Sequence, residues 1–343
     1  MRWAAILFAA LPLLLLLIAA AAPSDTSRHV LRAAKYAVAI ELLLVIIFAV
    51  IGASYERRNR VRESALYQPP GKLIDIGGYR LHLYCTGASS PTVILDFGLD
   101  GSYLDWYRVQ PQLAGSVRVC SYDRSGYGWS DTSPRQRIPS EMVDELHTAL
   151  DRAGEKPPFI FVGHSFGGFN ALMFAHKYPA DVAGVVLVDM PHPQGKIAFS
   201  WQKKLWLRMM QLTVPFGLPR WRRWCVNGPA EIEGLKTALV CRSHVYATNY
   251  AQFATFGASA AEVGKLPPMR DIPLSVISRD PKRAGANFEA EQRWQEMQLD
   301  LLRMSTNSRH IVAEGSGHGI PVERPDAIVS AVMEMVGKLR TAK

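Results

Sequence analysis

A serine flanked by glycines lies between an apolar segment and a segment with helical character. Residues 163–168 read Gly-His-Ser-Phe-Gly-Gly, after the apolar run Phe159–Val162 and before Phe169–Tyr178. A sharp turn of this kind from strand to helix strains the serine and holds its hydroxyl clear of the sheet. The N-terminal end of the following helix would favour negative charge that develops there. Ser165 is therefore the candidate nucleophile.

A serine hydroxyl needs a base to accept its proton, and His318 is the candidate. It lies in the sequence Gly-Ser-Gly-His-Gly-Ile, residues 315–320, directly after the predicted strand Arg309–Ala313. A histidine between glycines in a loop contributes little to packing. Other histidines have weaker claims, because His82 lies within a predicted strand and His147 and His176 lie on predicted helices.

Two aspartates could orient that histidine. Asp280 follows the predicted strand Leu274–Ser278 by two residues, where a loop would offer its carboxylate to His318. Asp189 ends the preceding predicted strand and is the alternative, unless it only caps the following loop. The carboxylate would hold the imidazole tautomer and stabilise the imidazolium that forms. We predict Asp280 as the acid and keep Asp189 as the alternative.

Acyl transfer also needs hydrogen-bond donors for a developing oxyanion. One candidate is the backbone N–H of Phe166, next to the nucleophile. The second is the N–H of Leu99, in the loop after the third predicted strand, where Gly98 would allow close approach. We expect no cofactor and no metal, since no cluster of His, Cys and carboxylates has the spacing of metal ligands and no dinucleotide-binding motif is present.

These residues need a sheet to position them. Short apolar runs alternate with helical patterns, which predicts a mostly parallel sheet with helices on both faces. A helix capped by Ser140 should end at Gly154, and Gly77-Gly78 predicts a hairpin. Residues 191–268 interrupt the alternation as a helical insertion with four tryptophans. The predicted strands are Lys72–Ile76, Tyr79–Cys85, Thr92–Phe97, Val117–Tyr122, Phe159–Gly163, Gly184–Asp189, Leu274–Ser278 and Arg309–Ala313.

The first 71 residues have the composition of a membrane leader, and we place the globular domain at 72–343. Residues 3–22 contain no charge and residues 36–55 contain only Glu41, so both are long enough to span a bilayer. Two spans are the first choice, and a cleaved signal peptide plus one span is the alternative. The arginines at 57, 58, 60 and 62 weakly favour the cytoplasmic side for the domain that follows.

The basic character of the chain points to a membrane rather than to nucleic acid. The net charge is +9, and residues 191–268 carry ten Lys or Arg against three Asp or Glu. That segment is rich in Leu, Trp and Met, which suits an anionic lipid surface. The same tryptophans could instead pack the insertion onto the core. Cysteine usage leaves the compartment open: four buried thiols are the default expectation, and the pairs Cys85–Cys120 and Cys225–Cys241 are the alternative.

In combination, these motifs make the chain from residue 72 onward resemble an α/β-hydrolase-fold serine hydrolase. The resemblance rests on Phe97-Gly98, the stretch 122–131, the Ser165 turn, and residues 316–318 followed by Glu-Arg-Pro at 323–325. It implies an α/β-hydrolase fold with an eight-stranded sheet, a helical lid at 191–268 and no cofactor. Many relatives have a histidine where this chain has Phe97. Relatives that open epoxides attack with an aspartate, whereas this chain has Ser165.

The sequence therefore predicts a membrane-anchored carboxylic-ester hydrolase that acts on a small-molecule substrate with an apolar acyl group. Ser165 would attack the acyl carbonyl, His318 would relay the proton, and water would clear the acyl-enzyme. An acyltransferase or perhydrolase with the same triad is the alternative. A binding protein of this fold that has lost catalysis is a third hypothesis, although all the catalytic elements are present.

Overall fold

The computed structural model describes residues 24–195, 199–226, 228–283 and 288–341. Strands and helices alternate through most of the chain. The strands are β1 Lys72–Asp75, β2 Arg80–Thr86, β3 Thr92–Asp96, β4 Arg118–Asp123, β5 Phe159–His164, β6 Val182–Val188, β7 Leu274–Arg279 and β8 Ser308–Ala313. The helices are α1 Ser24–Leu66, α2 Gln110–Ala114, α3 Pro139–Ala153, α4 Gly167–Lys177, α5 Trp201–Thr213, α6 Leu218–Trp221, α7 Glu233–Val240, α8 Ser243–Val263, α9 Phe288–Asp300, α10 Ile320–Glu323 and α11 Pro325–Thr341.

The strands form an eight-stranded sheet in the order β1-β2-β4-β3-β5-β6-β7-β8. β1 and β2 pair antiparallel, β2 pairs antiparallel with β4, and every pairing from β4 to β8 is parallel. This is the α/β-hydrolase fold, and the fold prediction is confirmed. The Gly77-Gly78 hairpin also forms, with the Ile76 N–H bonded to the Tyr79 carbonyl at 2.9 Å.

The core lies on both faces of the sheet. Along β5, Phe161 packs with α3 and α4 on one face, whereas Ile160 packs with α2 and α11 on the other. This alternation follows from the two-residue period of a strand. Because both faces are covered, the central strands are buried and apolar throughout. Polar side chains of a site are therefore expected at the carboxyl ends of the parallel strands.

Helix α3 begins two residues earlier than predicted. The sequence suggested Ser140 as its N-cap, but the helix starts at Pro139 and Ile138 occupies the cap position without a side-chain bond. Proline suits the first helical position, because its φ is already helical and the N–H it lacks would have no partner there. The predicted end is correct: Gly154 caps the helix with a φ of 79°.

The four cysteines form two disulfides, Cys85–Cys120 and Cys225–Cys241, so the expectation of four thiols is wrong. Cys85 and Cys120 are directly opposite each other in the β2–β4 register, and Cys225 and Cys241 approach to 5.4 Å between Cα atoms. All four cysteines are buried or nearly so, as expected from the sequence. The expectation of burial did not distinguish a free thiol from a disulfide, because both are commonly buried.

The leader contains one described helix, α1, of 43 residues. The predicted span 36–55 lies within it, and the segment His29–Leu66 is long and apolar enough to cross a membrane by length and composition. Its apolar side chains there are mostly exposed, such as Phe48 at 70%. The other predicted span, 3–22, lies outside the described residues.

Between β6 and β7 the chain leaves the sheet and forms helices α5 to α8. α5 packs against α8, and their contact includes Leu207, Met210, Tyr246 and Phe253. The Cys225–Cys241 disulfide lies in the same cluster. These helices follow the carboxyl end of β6, which puts them at the edge of the sheet where the parallel strands end.

Candidate active site

Ser165 occupies the turn between β5 and α4 in a left-handed conformation, with a φ of 50°. This conformation is strained for a residue with a side chain and needs support from its surroundings. The Ser165 N–H donates to the Val188 carbonyl at 2.9 Å. Glycines flank the turn because there is no room for side chains: a Cβ on Gly163 would lie 2.3 Å from the Gly167 carbonyl oxygen.

His318 follows β8 and α10 begins just after it. Its Nε2 lies 3.1 Å from Ser165 Oγ, and its Nδ1 faces an Asp189 carboxylate oxygen at 2.5 Å. If Nδ1 carries the proton and donates it to that carboxylate, Nε2 is free to accept the serine proton. The structure therefore brings together Ser165 and His318, which lie 153 positions apart in the sequence.

The acid beside His318 is Asp189, so the preference for Asp280 needs correction. Asp189 is fully buried after β6. It also accepts bonds from the Trp294 indole N–H at 2.7 Å and the Arg279 backbone N–H at 3.2 Å. Burial alone would raise its pKa, but the hydrogen bond and charge of His318, with Arg279 and Trp294, hold the pKa of Asp189 below its usual value.

Asp280 instead forms a hydrogen bond to the loop that carries His318. Its carboxylate accepts the N–H groups of Gly315 at 2.8 Å and Lys282 at 2.9 Å, and these two bonds lower its pKa. Both aspartates follow neighbouring parallel strands, β6 and β7, at the same edge of the sheet. Their positions in the sequence do not distinguish which carboxylate turns towards the histidine and which turns along its loop.

The residues of the two predicted oxyanion donors lie near Ser165. Phe166 precedes the first turn of α4, where backbone N–H groups have no partner within the helix. Gly98 lies against Ser165, since a Cβ on Gly98 would be 3.1 Å from Ser165 Cβ, and Leu99 lines the same cavity as Ser165.

Arg124 holds the loop that carries Leu99. Its buried guanidinium donates to the carbonyls of Phe97 and Gly98, both at 2.6 Å, and pairs with Asp96. The Phe97 ring lies 3.9 Å from the guanidinium carbon, a favourable cation–π contact. Thus Phe97, where many relatives have histidine, packs on the arginine that fixes the loop.

His164, the residue before Ser165, contacts the backbone of His318. Its Nε2 lies 2.8 Å from the His318 carbonyl oxygen and donates to it. Burial lowers the pKa of His164 to about 4, with repulsion from His318 acting in the same direction. The ring is therefore neutral near pH 7 and acts as a positioning group.

A cavity of about 240 Å³ opens onto the serine. Carbon-rich side chains make up most of its walls, and Arg279 contributes the one permanently charged group. The guanidinium carbon of Arg279 lies 4.4 Å from the Trp294 ring centroid. Sequence reasoning missed Arg279 and Trp294, because nothing in their local pattern links them to the distant serine. The lining residues are Leu99, Ser165, Pro191, Phe199, Phe256, Arg279, Trp294 and His318.

One group of potential metal ligands lies elsewhere in the described part of the chain. Cys85, Cys120 and Glu155 have ligand atoms within 4.8 Å of one another. The two sulfurs are bonded to each other, and Glu155 forms an ion pair with Arg118. Disulfide sulfurs lack the thiolate charge that metal ligation needs.

Comparison with known proteins agrees with the fold. The sequence profile described as "Alpha/beta hydrolase family" matches residues 97–331. The chain is 23% identical to the uncharacterized protein YbdG of Bacillus subtilis, with 87% of this chain and 95% of that protein covered. It is 24% identical to a soluble epoxide hydrolase of Corynebacterium sp. strain C12, with 77% and 96% covered.

Among solved structures, the fold is similar to that of a thermophilic esterase from Thermogutta terrifontis. The TM-score is 0.58 at 20% sequence identity, and the match covers 78% of this chain and 97% of the esterase. At this level of identity the similarity shows a shared fold.

Proposed function

Because this chain belongs to the alpha/beta hydrolase family, we propose that it is a membrane-anchored serine hydrolase that cleaves carboxylic esters. Ser165 is the nucleophile, His318 the general base and Asp189 the acid that orients the histidine. The observation that carries the proposal is the continuous chain of contacts from Ser165 Oγ through both nitrogens of His318 to the buried carboxylate of Asp189.

The reaction begins when Ser165 Oγ attacks the acyl carbonyl carbon and its proton passes to Nε2 of His318. The C=O π electrons move onto oxygen, and the backbone N–H groups of Phe166 and Leu99 stabilise the resulting oxyanion. The intermediate collapses, the C–O bond to the alcohol breaks, and the His318 imidazolium protonates the leaving alkoxide. Asp189 stabilises that imidazolium throughout.

Water then repeats the sequence on the acyl-enzyme. His318 takes a proton from the water, the hydroxide oxygen adds to the acyl carbon, and Ser165 leaves with the proton that His318 returns. The products are a carboxylic acid and free enzyme. His318 holds the proton taken from Ser165 in the first half of the reaction and the proton taken from water in the second, so the ring must alternate between its neutral and charged forms.

The serine favours ester cleavage over epoxide opening. A carboxylate that attacks an epoxide carbon forms an ester, which water can hydrolyse. A serine that attacked the same carbon would form an ether, and an oxyanion hole gives no help in cleaving an ether. The cavity walls of Leu99, Pro191, Phe199 and Phe256 support an apolar acyl group.

Helix α1 supports the proposed membrane anchor, and the disulfides support an extracytoplasmic position of the hydrolase domain. The exposed apolar surface of α1 is stable in lipid and unfavourable in water. Two disulfides are typical of oxidising compartments, so we propose an extracytoplasmic hydrolase domain. This proposal replaces the weak preference for the cytoplasmic side, which rested on the arginines after the span.

The reaction class is tested by a substrate panel on the full chain in detergent. We expect turnover of p-nitrophenyl esters that rises from acetyl to longer acyl chains, and no opening of a styrene epoxide. Diol formation with inert esters would contradict the proposal. A second assay adds methanol and measures the ratio of methyl ester to free acid, which distinguishes acyl transfer from hydrolysis. An acyltransferase yields more methyl ester than the mole fraction of methanol in the solvent would give.

A further inference from the structure

Helix α5 carries an unpaired apolar face on the outside of the molecule. Trp201, Leu205, Met209 and Leu212 are 70%, 51%, 48% and 69% exposed, and Phe216 just beyond the helix is 47% exposed. Spacings of four, four, three and four residues align these side chains on one side of a helix. We call these five residues the α5 stripe. Large apolar side chains in such a row indicate a surface that is covered in the working protein.

The end of the α5 stripe contacts the anchor helix directly. A Cβ on Gly52 of α1 would lie 2.2 Å from the Phe216 carbonyl oxygen, so the glycine permits close approach of the two backbones. On the other side of the contact, a Cβ on Gly217 would lie 2.8 Å from the Tyr55 ring. The lid and the anchor therefore pack together at residues 52–55 and 216–217.

A buried charge cluster fixes this packing one turn further along α1. Arg220, which is 8% exposed, pairs with Glu56 at 2.9 Å and with Glu63. Glu56 is 2% exposed and also pairs with Arg60 at 3.0 Å. Buried ion pairs with several partners hold their elements in one geometry, because separation would leave charges unpaired in an apolar environment.

This contact determines the level of the lid relative to a bilayer. A helix rises 1.5 Å per residue, so residues 36–55 cover about 30 Å, the thickness of the hydrocarbon core. With residues 36–55 as the span of the proposed anchor, Gly52 and Tyr55 lie at the boundary of the hydrocarbon, and Phe216, which contacts Gly52, lies at the same level. Tryptophan is favoured at this boundary, and Trp201 and Trp221 are both exposed.

The other end of the α5 stripe approaches the catalytic cavity. Phe199 lines the cavity with Ser165, and Trp201 begins the stripe two residues later. Phe199 also packs edge to face on Phe253 and Phe256, with ring centroids 4.2 and 5.3 Å apart. Apolar surface thus continues from the anchor, along the stripe, to the wall of the cavity.

We propose that the α5 stripe is seated in the lipid of the bilayer that α1 crosses, and that esters dissolved in this lipid reach Ser165 along it. The proposal rests on the membrane anchor of the proposed function and adds the substrate class: amphiphilic esters that partition into a bilayer. The occupant of the stripe is lipid, and the contact of Phe216 with Gly52, near the end of the proposed span, is the observation that assigns it.

Fluorescent labels on single introduced cysteines test the seating. The four native cysteines are paired, so a maleimide dye with polarity-sensitive emission labels only Leu205→Cys, Leu212→Cys or the control Lys156→Cys. Lys156 is exposed and precedes β5, at the end of the sheet opposite Ser165. In phosphatidylcholine–phosphatidylglycerol proteoliposomes, we expect blue-shifted emission and quenching by nitroxide lipids at 205 and 212, and iodide quenching at 156.

Two results would overturn the seating. One is iodide quenching of the dye at residue 205 that is as strong as at residue 156. This result would overturn the seating even if the dye at residue 212, nearer the anchor, were protected from iodide. The other is protection of residue 205 from both quenchers with disulfide dimers of Leu205→Cys, which would mean that a second copy of the chain covers the stripe. Repeating the labels in the Ser165→Ala chain separates this test from catalysis, because seating requires no turnover.

Substrate delivery is tested by the ratio of two activities. Leu205→Glu should lower kcat/KM for a long-chain ester dissolved in vesicles at least tenfold and leave a short water-soluble ester unchanged. Leu299→Glu is the matched control, since Leu299 is 49% exposed on α9 and the same charge is added. An unchanged ratio in Leu205→Glu would contradict delivery through the stripe.

Discussion

At Asp189, three groups donate hydrogen bonds to one buried carboxylate: the His318 ring, the Trp294 indole and the Arg279 backbone. An asparagine would keep the shape of the side chain but lose the charge that stabilises the imidazolium, and its amide would favour the wrong tautomer of His318. We expect Asp189→Asn to lower kcat about 10⁴-fold, measured with a short soluble ester under saturating conditions.

Asp280→Asn is the matched control for that change. Asp280 follows the neighbouring strand and accepts two backbone N–H bonds, one of them from the loop that carries His318. Asn can still accept one of these two bonds through its carbonyl oxygen, whereas its NH2 group would face the other N–H. Neither bond involves the reacting atoms, so we expect kcat to fall less than about tenfold. A larger loss in Asp280→Asn than in Asp189→Asn would reverse the assignment of the acid.

The sequence could predict the residues that a local pattern marks. Ser165 lies in a turn that only small neighbours permit, and His318 lies between glycines in a loop, so both could be recognised without a structure. The choice between Asp189 and Asp280 depends on the direction of two side chains at one sheet edge. Trp294 and Arg279 donate hydrogen bonds to Asp189 and line the cavity, and no local signal marks them.

Among the elements, the junction of α1 and the lid has the most testable energetics. Arg220→Met keeps the volume of the side chain but leaves Glu63 without this partner and Glu56 with Arg60 alone. Breaking a buried ion pair on one side costs about 3 kcal/mol. We expect the apparent melting temperature of the full chain in detergent to fall by several degrees.

Two further variants make the Arg220 result specific. Arg303→Met removes an arginine that is 84% exposed and pairs with Asp300, so little change in melting temperature is expected. Adding Glu56→Gln and Glu63→Gln to Arg220→Met removes the unpaired charges and should recover part of the loss. Equal melting temperatures for the wild-type chain and Arg220→Met would mean that the cluster does not hold the anchor on the lid.

Element order was predictable, and contacts between distant elements were not. The alternation of buried strands and helices predicted the parallel sheet, since each strand is covered on both faces. The start of α3 differed by two residues because Pro139, rather than a residue after Ser140, takes the first helical position. The contact of Gly52 with Phe216 joins segments that lie 164 positions apart in the sequence. The residues of the two segments would be equally compatible with exposure to solvent or to lipid, so the sequence does not indicate that the segments meet.

For the whole molecule, the two disulfides bear on the side of the membrane. A domain that folds in an oxidising compartment should show no free thiol before reduction, because all four cysteines are paired. We expect polyethylene-glycol maleimide to leave the protein from untreated cells unshifted on a denaturing gel. After reduction, it should shift the protein by four additions. A four-step shift without reductant would place the domain on the reducing side.

The central claim is that Ser165 is a nucleophile activated by His318, and a fluorophosphonate probe tests it most directly. The probe phosphonylates only an activated serine. We predict one adduct per chain on the peptide that contains Ser165, found by mass spectrometry, with none in Ser165→Ala and strongly slowed labelling in His318→Gln. An adduct on another residue, or undiminished labelling of a folded Ser165→Ala chain, would contradict the account.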